Sequence, residues 1–195
     1  MRKVAFLMLA KGHSKRLPNK NKILFSGKPL FTWNLLKAIK ITKNFYFNSD
    51  DESMVNVARS YGAKIIERDK RLLDDNVPSR VLFISSLKKM PKYIDAILSI
   101  QPNSPNLDPK LIQQCFSIMS NNNFNELLTC DKNYKIYGSI WGLSRKKIIS
   151  SSSNIKIRDK NTQNPDCLIL DESIDIHTIS EFNKAQKIFK KYRKF

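Results

Sequence analysis

The sequence predicts an α/β fold, a single-domain, doubly wound, mostly parallel sheet with helices on both faces. Residues 3–10 (KVAFLMLA) form a nearly continuous apolar run, the pattern of a strand covered on both sides. Behind it, short apolar runs alternate with segments whose apolar residues recur at helical spacing. That is the rhythm of βα units joined by right-handed crossovers. The chain has 195 residues, 41% of them hydrophobic, enough for one core, so one domain over 1–195 is expected.

The elements follow in order. After the first strand comes a polar loop. Pro29 then stands where a helix can begin without losing a needed amide, and Leu30, Phe31, Trp33, Leu35, Leu36 and Ile39 supply the apolar face. Residues 45–48 read as a short strand, with Ser49 or Asp50 as the cap of a helix carrying Met54, Val55, Val57 and Ala58. Gly62 ends that helix and residues 63–66 form the next strand. Residues 78–90 predict a third helix with Val81, Leu82, Ile84 and Leu87 inward, and residues 94–100 a fourth strand. Leu111, Ile112, Cys115, Ile118 and Met119 mark another helix, broken at 121–123. Residues 124–143 add strands, 150–164 read as a polar loop, 167–170 as a late strand, and 179–192 as an amphipathic helix. In such a sheet ligands bind beyond the carboxyl ends of the strands, where the loops 11–21, 49–51 and 101–105 should lie.

Composition narrows the function classes. The formal charge is +18, from 35 Lys and Arg against 17 Asp and Glu, which alone would suggest a polyanion partner. The lysines are spread along the chain, however, and only KGHSKRLPNKNK and KIFKKYRK are dense. With no RNP motif, helix-turn-helix or aromatic-interleaved basic surface, a nucleic-acid partner is not expected. The opening apolar stretch spans only residues 4–10 and runs into KGHSKR, which favours a buried strand over a signal peptide. No run reaches the ~20 apolar residues of a membrane span, so a cytoplasmic protein without membrane contact is expected. Cys115, Cys130 and Cys167 lack the close pairing of a zinc or redox motif and read as reduced core residues.

The strongest chemical signal is LAKGHSKRLPNKN, directly after the first strand. Gly12 permits close backbone approach, the Ser14 hydroxyl and neighbouring amides can donate to phosphate oxygens, and Lys15 and Lys20 can offset triphosphate charge. The GxxxxGK[ST] pattern of a Walker A loop is absent.

This loop resembles the signature of the acylneuraminate cytidylyltransferases: a small residue, Arg, two variable residues, Ser-Lys, then Lys-Asn. Ala10, Ser14, Lys15, Lys20 and Asn21 match in spacing, while the family's Arg is Lys11 here, which keeps the charge and loses the planar fork. Further resemblances follow in order. They are SGKPLFTW, NSDDESMVNVARSYGA, the region through LLDDNVPS in which Arg68 and Ser79 match residues near the base, and QPNSP with Gln101. DESIDIHTISEF is similar to the family's IDIDT segment, whose alternate aspartates hold magnesium; Asp175 takes the first position and His177 the second. Alternate residues of an extended segment face the same way and can share one ion, but imidazole is a poor magnesium ligand. Three alternatives follow: Asp175 works alone with waters and phosphates, the metal preference has moved, or activity is lost. His177 as a capping or packing residue before the last helix is equally open.

The resemblance implies transfer of CMP from CTP to an acidic, nonulosonic or sialic-acid-like sugar, with release of pyrophosphate and with Mg2+ as cofactor. It implies Lys11, Ser14, Lys15 and Lys20 on the triphosphate, with Lys11, Lys15 and Asp175 closest to the chemistry. Ala10 and Gly12 would line the nucleotide; Asn21, Arg68, Ser79 and Gln101 would contact the nucleoside. Between TCDKN and YGSIW, around 130–140, the chain is shorter than the family pattern, where sugar-binding residues and a dimer arm ordinarily lie. The resemblance leaves a homodimer open, with the usual dimer arm shortened. A smaller acidic acceptor, or a nucleotide-binding protein without turnover, are the alternatives.

Overall fold

In the computed structural model, which describes residues 1–74, 77–150 and 165–192, the first apolar run is strand β1 (Val4–Ala10). A two-stranded hairpin follows, β2 (Leu24–Phe25) and β3 (Lys28–Pro29), and then helix α1 (Thr32–Ile39). Here the structure corrects the expected helix start. Ser26 and Gly27 both take positive φ, 48° and 87°, the geometry that folds a two-residue hairpin turn, so Pro29 pairs with Leu24 instead of opening the helix. Strand β4 (Phe45–Ser49) leads into α2 (Glu52–Ser60). Its cap is Asp51, whose carboxylate accepts the Met54 amide at 3.0 Å, and not Ser49 or Asp50.

Strand β5 (Lys64–Ile65), α3 (Ser79–Lys89), β6 (Ala96–Ile100) and α4 (Pro109–Asn121) complete the parallel half. The inner stripe of α3 runs through Leu82, Phe83, Ser86 and Leu87; Val81 and Ile84 are only partly buried. Then come β7 (Glu126–Cys130), β8 (Ile136–Ser144), α5 (Arg145–Ser150), β9 (Cys167–Leu170) and α6 (Ile179–Tyr192). The polar loop expected at 150–164 lies outside the described residues beyond Ser150, which ends α5. Residues 131–135 join β7 and β8 as a tight turn in which the Asp131 carboxylate accepts the amides of Asn133 and Lys135.

The seven-stranded sheet has the order β5-β4-β1-β6-β8-β7-β9, and β8 alone runs against the others. Helices α1, α2 and α4 cover one face, packing Leu35, Met54, Ile112 and Met119 on Phe6, Met8, Phe45 and Phe47. On the other face Phe83 and Leu87 of α3 and Ile148 of α5 meet Ala5, Leu7 and Ile97. A third, smaller core joins Phe25 and Leu30 of the hairpin region to Ile176 and to Phe182 and Ala185 of α6. The fold is therefore a single doubly wound α/β domain. All three cysteines are free thiols; burial pushes Cys115 up to about 12, so it is inert at neutral pH. No helix among the described residues is long and apolar enough to cross a membrane.

One consequence of the strand order positions the site. The chain leaves β1 toward β4 and returns to place β6 on the other side of β1. Between β1 and β6 the connections diverge, which opens a crevice at the carboxyl edge of the sheet.

Candidate active site

The loop after β1 lines one flank of the crevice. Gly12 is buried and donates its amide to Asp50 at 2.9 Å; a Cβ added to it would stand 2.6 Å from the Asp51 Cβ. Only glycine allows that approach. The buried Asn21 closes the loop by donating from Nδ2 to the Lys11 carbonyl at 2.9 Å, and Asn19 turns the chain with φ 53°. Lys22 bridges to Asp51 at 2.7 Å. Burial raises the Asp51 pKa, but hydrogen bonds from Lys22, Ser53 and the Met54 amide outweigh it and bring the carboxyl down to about 2. Ser14 accepts the Leu17 amide at 3.4 Å, and Lys15 is exposed.

Arg68 sits beneath this loop. Its side chain is only 2% exposed and is committed to Asn48 Oδ1 at 2.8 Å, Asn48 O at 3.1 Å, Ala10 O at 3.4 Å and Asp50 at 3.6 Å. The guanidinium thus ties the ends of β1 and β4 together. Ser79, by contrast, is exposed as the first residue of α3.

Residues 101–107 line the opposite flank. Gln101 is exposed at the end of β6, with its amide donating to Ser139 O at 2.9 Å. Asn103 is buried and faces the segment that sequence reasoning singled out for metal. It donates to Asp175 Oδ1 and to Ile176 O, and its own carbonyl accepts the Ile176 amide at 2.9 Å. His177 Nε2 lies 2.8 Å from Asp175 Oδ2, and its Nδ1 lies 3.5 Å from Lys20 Nζ. Burial lowers the Lys20 pKa while Asp175 opposes the shift. Lys20, Asp175, His177 and Asn103 therefore meet across the crevice, bringing the phosphate-type loop to the DESIDIH segment.

His177 is not the cap of α6. Thr178 is: its hydroxyl accepts the Glu181 amide at 3.3 Å, and Glu181 takes the amides of His177 and Thr178 at 2.8 Å each. The imidazole is left for Asp175.

Among the described residues no three His, Cys, Asp or Glu side chains form a cage for a metal ion. Both oxygens of Asp175 already accept a neighbour, and His177 faces this carboxylate. The donor set fits a divalent ion held chiefly by substrate phosphates with one protein oxygen from Asp175, since magnesium is commonly bound that way. His177 stands beside that oxygen, its Nε2 2.8 Å from Asp175 Oδ2.

Against known proteins, the family model described as Cytidylyltransferase matches residues 5–165, through all but the end of the sheet. The chain belongs to the cytidylyltransferase family. Within that family it is 34% identical over 113 residues to the pseudaminic acid cytidylyltransferase of Campylobacter jejuni subsp. jejuni serotype O:2, covering 55% of this chain and 49% of the relative. The chain thus spans about half the length of that relative. It is 26% identical over 218 residues to the CMP-N,N'-diacetyllegionaminic acid synthase of Legionella pneumophila, covering 92% of this chain and 93% of the relative. In fold it is similar to a CMP:2-keto-3-deoxy-manno-octonic acid synthetase solved with CTP. There the TM-score is 0.75 at 12% identity, over 97% of this chain and 99% of that one.

Sequence reasoning placed the loops 49–51 and 101–105 at the ligand edge but assigned no role in the site to Asp50, Asp51, Lys22 or Asn103, which hold the flanks in place. Asn103 was within reach, because it lies inside QPNSP itself.

Proposed function

We propose that this cytidylyltransferase-family chain transfers CMP from CTP to an acidic sugar of the nonulosonic type and releases pyrophosphate. The observation that carries this is the meeting of Lys20 with the Asp175–His177 pair, at 3.5 and 2.8 Å, in the switch-point crevice. Family membership and the pseudaminic and legionaminic acid relatives support the choice of nucleotide and acceptor.

In this proposal Lys11, Ser14, Lys15 and Lys20, with the Gly12 turn, receive the triphosphate. Gln101, Asn21 and Ser79 lie toward the nucleoside, and Arg68 acts by fixing Ala10 and Asn48 beneath it. Asp175 would give Mg2+ its one protein oxygen, with His177 and Asn103 holding that carboxylate in orientation. Bound Mg2+ would neutralise phosphate charge. The acceptor hydroxyl oxygen bonds to the α-phosphorus, the bond to the bridging oxygen breaks, pyrophosphate leaves, and the hydroxyl proton passes to water. Such transfer depends on positioning and charge more than on covalent help from protein.

A smaller acidic acceptor is the second reading, favoured by the five-residue connection that leaves no arm between β7 and β8. Calorimetry with CTP, ATP, GTP and UTP, each with magnesium, tests the first claim: CTP preference is expected, and absence of nucleotide binding overturns it. Pyrophosphate release across an acceptor panel separates the readings. Turnover with nonulosonic acids supports the first, and turnover only with short sugar acids or phosphonates replaces it by the second.

A further inference from the structure

Behind the 101–107 flank lies a set of contacts that none of the roles above uses. The carbonyls of Gln101, Ser104, Pro105 and Leu107 all accept hydrogen bonds from α1. Asn34, fully buried, donates from Nδ2 to Gln101 O and Ser104 O at 2.9 Å each. Lys37, one turn on and therefore on the same helix face, donates from Nζ to Pro105 O at 2.6 Å, Leu107 O at 2.8 Å and Asn34 Oδ1 at 3.2 Å. On its other side the same loop reaches Asp175 and Ile176 through Asn103.

We infer that Lys37, acting with Asn34, is a positioning residue whose ammonium holds residues 101–107 and so sets where Gln101 and Asn103 stand in the crevice. The inference rests on the CTP site proposed above. Three N–H donors meet three acceptors, a match that no apolar side chain could supply, and an apolar residue here would leave two loop carbonyls unpaired. Pro102 and Pro105 have no amide hydrogen, so the loop depends on outside donors for its order.

The electrostatics give this contact a signature. The residue as a whole is partly exposed, but burial of its ammonium pulls the Lys37 pKa down to about 7, with Asp108, the cap of α4, opposing. Asp108 is the charged group acting on it among the described residues. A neutral amine offers only two N–H groups, so one acceptor loses its partner as pH rises through that value. The loop is held most firmly below it.

The test measures CTP affinity by calorimetry from pH 6 to 9 for wild type, Lys37→Met, and Lys37→Cys alkylated with 2-bromoethylamine, which restores an ammonium. Alkylated wild type serves as control for the native thiols. At pH 6.5 Lys37→Met is expected to bind CTP about tenfold more weakly, and the alkylated variant to recover wild-type affinity. The wild-type advantage should shrink as pH rises through 7; titration of the nucleotide's own phosphate cancels in the ratio. In parallel, nucleotide-free amide resonances of Asn103 and Leu107 should titrate near pH 7 in wild type and not in Lys37→Met. Lys37→Met that binds CTP as tightly as wild type at pH 6.5, or a tenfold loss that the alkylated variant does not recover, overturns the role of Lys37 and leaves the proposed function intact. Wild type that binds no CTP while the amides still titrate overturns the proposed function and, with it, the link from Lys37 to the nucleotide.

Discussion

The two flanks of the crevice are fastened by different physics. The 11–22 loop is closed by buried Asn21 but tied to its surroundings by charged groups: Lys22 to Asp51 at 2.7 Å, the Gly12 amide to the Asp50 carboxylate, and Lys20 reaching toward His177. The 101–107 loop is held from within, by fully buried Asn34, by buried Asn103, and by the inward-turned ammonium of Lys37. Charge pairs near water are weak and salt-sensitive, whereas buried hydrogen bonds cannot be exchanged for water. One flank can therefore give way while the other keeps its shape, which suits the triphosphate and nucleoside roles proposed for them.

The comparison breaks most visibly at the residue the two flanks share. Asp175→Asn removes the charge that faces Lys20 and His177, and kcat for pyrophosphate release should fall by about 100-fold or more, with melting temperature little changed. His177→Gln leaves Asp175 in place but loosens one side of it. With Asp175 as the proposed ligand, magnesium affinity of the CTP complex, followed by titration calorimetry, should weaken by about tenfold, the usual penalty for losing a partner of such a carboxylate.

Gly12→Ala strikes the charged flank alone. Its Cβ would collide with Asp51 at 2.6 Å, so the loop must shift. A stability loss of about 1–3 kcal/mol by urea denaturation is expected, together with weaker CTP binding. Lys22→Ala should be milder, below about 1 kcal/mol at neutral pH and vanishing in high salt. Its pH dependence has a definite sign. Asp51 sits at about 2 against its ordinary 3.8, so its contribution is present above the ordinary value and is lost as pH falls through 2. Without Lys22 the acid limb of the denaturation curve moves to higher pH.

What could be read from the sequence follows the same division. β1 was legible as an unbroken apolar run and the charged loop as a dense cluster of cations, because both signals are local. The hairpin was not, since strands of two residues have no period and the turn is specified by the φ values of Ser26 and Gly27. The direction of β8 was hidden too: an apolar strand reads the same whichever way it runs. In the site, DESIDIH announced Asp175 and His177, but the partners that aim them are scattered. Asn103 is 72 positions from Asp175 in the chain, and Lys37 is 68 from Pro105. On a helical wheel Lys37 is one more lysine in a lysine-rich chain, and only the loop carbonyls opposite it distinguish it.

The docking of α6 also has a consequence for how the protein is made. Asp175 is fixed by Asn103 on one side. On the other, Ile176 packs with Phe182 and Ala185 into the small core against Phe25 and Leu30. Of these anchors Asn103, Phe25 and Leu30 are translated before Asp175 while Ile176 and α6 follow it, and every strand of the main sheet emerges from the ribosome ahead of it. A nascent chain can thus complete its sheet while its crevice still lacks the carboxylate. Competence for chemistry would arrive as a late and separate event, when Phe182 seats against Phe25 with ring centroids 5.4 Å apart.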